Sequence, residues 1–203
     1  MISTTSQVIK HTFAALTAAA LFTACSDRTP AGLQARPGDP ARELTASTEA
    51  QAASYSRPAD ITSCPEIAVP AGSKQTFHVF GKGVQIYRWN GVKWDFVSPD
   101  AKLYADAAGN GLVGTHFGGP TWKTLSGSQV VGTVSKRCTP DANSIQWLLL
   151  DAKAGGAGVF ENTTLIQRTN TVGGNPPNRT GAANEEVSVP YTADYFFYRA
   201  PTL

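Results

Sequence analysis

Charge is scarce in this chain, and so are the residue types that build metal and redox centres. Only 16% of its 203 residues are charged, the net charge is +2, and there are three cysteines and three histidines. With no cluster of Lys and Arg and no basic-aromatic interleaving, the electrostatic footprint of a nucleic-acid binder is missing. Cys25, Cys64 and Cys138 have the wrong spacing for a zinc knuckle or a Cys-x-x-Cys redox pair. No Gly-x-Gly-x-x-Gly sits in a strand-helix context, and no Gly-Lys-Ser/Thr closes a phosphate loop, so neither kind of nucleotide site is expected. A Gly-x-Ser-x-Gly nucleophile elbow is absent as well. Beyond residue 60 no stretch of ten residues keeps a helical period, and no repeat of fixed length recurs, which argues against propellers and solenoids. No apolar run reaches the length of a membrane-spanning helix. No metal and no cofactor are expected.

What the chain does have begins at its N-terminus. Lys10 and His11 precede the apolar run Thr12 to Thr23, which leads through Ala24 into Cys25. A basic start, a short apolar core and small residues before a cut site describe a secretory signal. Leu21-Phe-Thr-Ala-Cys25 resembles the lipobox of bacterial lipoproteins, in which the cysteine is acylated, although Phe22 is bulkier than usual there. The expectation is a signal peptide over 1–24, a lipid anchor on Cys25 as the partner of a membrane, and a location in the bacterial cell envelope; the alternative is a secreted soluble protein. Residues 25–60 are rich in Ala, Pro, Ser, Thr and Arg with almost no large apolar side chains, so they read as a flexible tether. A coil of that length reaches about 30 Å. The remaining domain, 61–203, holds Cys64 and Cys138. In an oxidising compartment these two form one disulfide or remain as buried thiols.

From Thr76 the pattern turns to period two. Val84 to Trp89 and Val92 to Val97 flank Asn90-Gly91, the signature of a two-residue hairpin. That turn places Trp89 opposite Val92, Tyr87 opposite Trp94 and Gln85 opposite Phe96, with Tyr87, Trp89, Trp94 and Phe96 gathered around Gln85 on one face. Further strands are expected at Leu112–Phe117, Gln129–Val134, Ile145–Leu150 and Thr163–Thr169, with a C-terminal pair at Val187–Tyr191 and Tyr195–Tyr198. Ile145 to Leu150 is apolar on both faces, as in a strand covered on both sides. Turns are expected at Gly81-Lys82-Gly83, Ser98-Pro99-Asp100, Gly109-Asn110-Gly111, Gly118-Gly119-Pro120, Ser126-Gly127-Ser128, Pro140–Asn143, Gly155–Gly158 and Gly173–Pro177, with one helical turn between Asp151 and Ala157. Short strands with Gly and Pro punctuation predict an all-β fold, a single compact antiparallel sandwich or barrel.

Few residues stand out chemically. His116 lies in Thr115-His-Phe-Gly-Gly-Pro-Thr-Trp122, where a strand end and a Gly-Pro turn open room for a general base; the plainer reading is a histidine bonded to a loop carbonyl. His78, between Phe77 and Val79, reads as structural. Arg168 either holds an anionic ligand or a backbone carbonyl. Gln85, Tyr87, Trp94, Trp122 and Arg168 form the candidate ligand set, aromatic walls with a few polar anchors. The same aromatics also suit a core.

The motif series resembles a family. Gly81-Lys-Gly-Val-Gln-Ile-Tyr87, Trp94, Pro99-Asp-Ala-Lys-Leu103, Thr115 to Trp122, Gly127-Ser-Gln-Val-Val-Gly132, Ile145 to Leu150, Thr164 to Arg168, Thr171-Val-Gly-Gly174 and Val189 to Tyr195 look like the secreted proteins grouped as domain of unknown function 3455. The resemblance spans Ser63 to Arg199 and implies a compact secreted domain. In the family a cysteine often follows the Gly-Gly…Pro loop; here Pro177 to Gly181 has none, so the family's pairing does not carry over whole. Some fungal relatives are labelled malate dehydrogenase, an activity that the missing dinucleotide fingerprint and the single domain contradict. The function expected first is a small-ligand-binding or interaction module using the aromatic face. The alternatives are a secreted hydrolase or oxidoreductase with His116 in its site, and a structural envelope protein.

Overall fold

The computed structural model describes residues 58–201 and Glu49. The expected signal peptide, Cys25 and, apart from Glu49, the expected tether up to residue 57 lie outside the described residues. Eight strands follow one another: β1 Lys74–Trp89, β2 Trp94–Tyr104, β3 Leu112–Phe117, β4 Thr121–Thr124, β5 Gln129–Cys138, β6 Trp147–Ala154, β7 Leu165–Gly173 and β8 Glu186–Arg199. Each pairs antiparallel with the next, and β8 returns to β1, so the sheet closes into a barrel. The choice between sandwich and barrel is thereby settled. Closure removes both sheet edges and leaves every strand with two neighbours.

Alternation along β1 sends Phe77, Val79, Gly81, Gly83, Gln85 and Tyr87 inward, and across the seam they meet Phe197, Tyr195, Ala193, Tyr191, Val189 and Val187. One end of the interior is packed solid. Phe160, from the β6–β7 loop, is wholly buried between Phe77 and Phe197, at ring distances of 5.4 and 4.6 Å. A buried phenylalanine of this kind contributes about 2–3 kcal/mol. Outward positions carry Lys82, Asp100, Lys102, Lys123, Asp151 and Lys153, all exposed. An apolar interior under a charged exterior is the reverse of the polarity of membrane-spanning barrels.

Several expectations need correcting. Gly81 and Gly83 make no turn but lie inside β1. A Cβ at Gly81 would stand 2.6 Å from the Tyr195 ring, and one at Gly83 would stand 2.2 Å from the Asp100 carbonyl oxygen. These glycines are needed for close approach, not for bending. Ser98-Pro99-Asp100 likewise belongs to β2, because a bulge at Val97 absorbs the irregularity. The β1–β2 hairpin turns about Gly91-Val92, with Asn90 N–H donating to the Lys93 carbonyl and the Asn90 side chain accepting from Val92 and Lys93 N–H. Trp89 therefore faces Trp94, Tyr87 faces Phe96 and Gln85 faces Pro99. The expected C-terminal pair is one continuous strand, β8. Asp151–Ala154 extends β6 rather than forming a helical turn, and β4, too short to show a period, was not anticipated.

The two-sided apolarity of β6 has a specific cause. Ala59, Ile61, Cys64, Ile67 and Val69 pack outside the barrel against Trp147, Leu149, Leu165, Phe196 and Tyr198, forming a second apolar cluster on its outer face. Gln167, outward and buried, donates from Nε2 to the Ile67 carbonyl at 2.7 Å. Cys64 is disulfide-bonded to Cys138 at the end of β5, with Cα atoms 5.8 Å apart. A bridge across 74 residues stabilises by about 4 kcal/mol on the chain-entropy estimate. Replacing both cysteines by serine is expected to lower the unfolding free energy by about that amount. Urea titration of the variant checks this, and an unchanged midpoint would mean that packing alone holds the segment.

Candidate functional site

At the end of the barrel away from Phe160 the interior is not filled. A cavity of about 390 Å³ lies there, at the small end of the range for ligand pockets. Its apolar wall includes Phe96, Pro99, Trp122, Val134, Leu148 and Leu150. Four of the five candidate ligand residues, Gln85, Tyr87, Trp122 and Arg168, line it, as does His116. Trp94 does not. Its indole Nε1 donates to the Arg179 carbonyl at 2.8 Å, and the Arg179 guanidinium lies 5.2 Å from the ring centre. It belongs to a cluster with Trp89 and Tyr87, capped by the β7–β8 loop.

The polar anchors are held by backbone. Tyr87 donates its hydroxyl to the Gly174 carbonyl at 2.7 Å, in the same loop. Tyr191 and Tyr195, buried on β8, share a 3.1 Å hydroxyl contact. Burial raises the pKa of both phenols, so both stay protonated. Two lining donors are poorly met: Trp122 Nε1 is buried with no hydrogen-bond partner, and Gln85 Nε2 has only the Tyr191 hydroxyl near it. Leaving such donors unmet costs about 1–3 kcal/mol each.

His116 takes the plainer of its two readings. Nδ1 lies 2.9 Å from the Thr121 carbonyl and must carry the proton that bonds it, while the ring stacks on Trp122 at 4.2 Å. Burial pushes its pKa down to about 3. A base so weak accepts a proton poorly at neutral pH, and no Asp or Glu lines the cavity beside it.

Arg137 is a lining residue that sequence reasoning missed. From Val130 and Val134, simple alternation points Lys136 inward, but a bulge at Ser135 shifts the parity. Ser135, at the bulged position, donates its hydroxyl to the Leu149 carbonyl. Lys136 then pairs with outward Leu149, and Arg137 pairs with inward Leu148. One signal was available: Cys138, bridged to the outer segment, must face out, so its neighbour faces in.

The buried histidines make stability depend on pH. His78, stacked on Phe196 at 4.1 Å, has its pKa pushed down by burial to about 4, and His116 to about 3. Unfolded, both titrate near 6.5, so the unfolded chain binds the extra protons between these values. Stability is intact above about pH 6.5 and falls by about 1.4 kcal/mol per pH unit per histidine as the pH drops toward 4. The carboxyls of Asp106, Asp141 and Glu185, held below their usual range by hydrogen bonds, stay ionised in both states over most of this window. Urea unfolding at pH 7, 6 and 5 should show the decline, and His116→Gln should flatten it by about half; a flat profile in the parent protein would contradict neutral, buried histidines.

Neither curated proteins nor solved structures yield a match to this chain. A family model does match, over residues 70–199, from the start of the barrel to the end of β8. Its description is "Protein of unknown function (DUF3455)", and the chain belongs to that family.

Proposed function

We propose that this protein is a lipid-anchored envelope protein whose barrel binds a small, largely apolar molecule in the cavity at its open end. The observation that carries the binding reading is a space of about 390 Å³ walled by aromatic and aliphatic side chains, on whose wall the buried donor Trp122 Nε1 has no acceptor. A well-packed core fills such space and satisfies such donors. Gln85, Tyr87, Trp122 and Arg168 are the proposed ligand contacts, with Phe96, half exposed, at the rim. Anchoring through Cys25 rests on the basic-apolar-small sequence that ends there, and the Cys64–Cys138 bridge fits an oxidising compartment outside the inner membrane.

Titration with the neutral dye N-phenyl-1-naphthylamine, read by energy transfer from tryptophan, is expected to saturate at one equivalent. Val134→Phe, which grows a half-buried wall residue into the space, should weaken binding about tenfold or more, a loss of about 1.4 kcal/mol, with little change in thermal stability. Absence of saturable binding by this dye and by naphthalene-2-carboxylate alike would contradict the reading. Globomycin-sensitive processing and metabolic labelling of Cys25 with palmitate would test the anchor, and a Cys25→Ser protein that remains membrane-bound would contradict it.

A further inference from the structure

Resting on the cavity reading above, we propose that the bound molecule carries a single anionic head, a carboxylate, received by Arg168 with Arg137 beside it. Register places the two cations together: Arg137 pairs with Leu148, Leu148 with Arg168, and Arg168 with Tyr195, across four consecutive strands. All four side chains line the cavity. Arg168 is partly buried, while Arg137 is exposed. A guanidinium taken partly out of water asks for a compensating anion. None is supplied: no Asp or Glu lines the cavity, and the ion pairs among the described residues, Arg88–Glu186, Lys93–Asp95 and Arg179–Glu185, use other residues.

What Arg168 has instead is a positioning contact. Nε and Nη2 donate to the Gln146 carbonyl at 3.1 and 2.8 Å. A neutral carbonyl fixes the plane of the guanidinium without neutralising it, and Arg carries five N–H groups, of which this contact uses two. The Tyr195 hydroxyl lies against the guanidinium as well, and the N–H groups that remain can donate to a carboxylate. The positive charge acts on the cavity as a whole, since it opposes protonation of His116 and favours ionisation of Tyr87, Tyr191 and Tyr195.

A second observation points the same way. The unmet polar atom on the cavity wall, Trp122 Nε1, is a donor, and Gln85 Nε2, beside the Tyr191 hydroxyl, is another donor there. A site with surplus donors, surplus positive charge and no acid selects an acceptor-rich ligand. Leu148, Leu150, Val134 and Ile145 provide the apolar surface for its body. The class is therefore a small aryl or branched-alkyl carboxylate rather than a sugar or a cation.

Isothermal titration with a matched pair, naphthalene-2-carboxylate and naphthalene-2-carboxamide, tests this. Unmodified protein should bind the carboxylate at least tenfold more tightly than the amide, and 1 M salt should narrow the gap. Arg168→Gln should bring the carboxylate to the amide's affinity and leave the amide within about threefold, while Arg137→Gln should narrow the preference in part. Equal affinities in the unmodified protein, a comparison that needs no variant to fold, would overturn the charge assignment and leave the cavity reading standing. A preference that survives Arg168→Gln would overturn Arg168 as the receiver. Failure of both compounds to bind would overturn this proposal, and if N-phenyl-1-naphthylamine also failed to bind, the cavity reading would fall with it.

Discussion

Everything in this molecule depends on the seam between β1 and β8. That ladder runs from Lys74 against Arg199 to Arg88 against Glu186, and it is the longest pairing in the barrel. The closing contact joins the two ends of the domain, so its loop entropy is the largest of any strand pair and must be offset by what closure gains. The gain is an interior that buries Phe77, Val79, Tyr195 and Phe197 from the seam itself and removes two sheet edges. Gly81 and Gly83 matter for the same reason. They leave two inward positions on β1 without side chains, and the Tyr195 ring and Ala101 occupy that space. The seam thus sets both the diameter of the barrel and the floor of the cavity.

A small barrel has two problems, filling its ends and covering apolar strands that face out. This chain solves the first unevenly. Phe160 plugs one end, while the other, where Tyr87, Phe96, Pro99, Arg137 and Arg168 gather, is left with space. The second is solved by the segment from Ala59 to Val69, held over β5 to β8 by the disulfide and by Gln167. The same bridge fixes the parity at the end of β5. Because Cys138 faces out to meet Cys64, Arg137 takes the opposite face, and a covalent constraint on the exterior helps set an exposed cation at the lining of the cavity.

Much of the fold is legible in the sequence where period two runs undisturbed. Leu112–Phe117 coincides with β3, and the turns around Gly109, Gly118, Ser126, Pro140 and Gly174 fall between strands. Legibility fails where a strand carries a bulge or an inward glycine. Gly81-Lys-Gly reads as a turn because local propensity cannot see the Tyr195 ring across the seam, and Ser98-Pro-Asp reads as a turn because the bulge at Val97 is a property of the pair. The Asn-Gly signature sets the pairing two residues off at Trp89 and Tyr87 and, beyond the bulge, three at Gln85, yet Tyr87, Trp89 and Trp94 stay on the inner face despite the wrong partners. Of the cavity, Gln85, Tyr87, His116 and Trp122 could be named from sequence because they lie in strand patterns near other aromatics, and Arg168 because its strand leads into a Gly-Pro loop. Arg137 could not, because one extra residue at Ser135 reverses its face. Trp94 has the composition of a site residue, but a loop more than eighty positions away covers it.

The open end of the barrel is proposed as a ligand site rather than loose packing. The indole N–H resonance of Trp122 tests it most directly, since that group is buried on the cavity wall without an acceptor, whereas Trp89 and Trp94 sit in the hairpin cluster and Trp147 packs on the outer face. In a ¹H–¹⁵N spectrum titrated with naphthalene-2-carboxylate, the Trp122 indole signal should move progressively to saturation while that of Trp147 stays in place. A Trp122 signal that does not move, or four indole signals that drift together without saturating, would contradict the account.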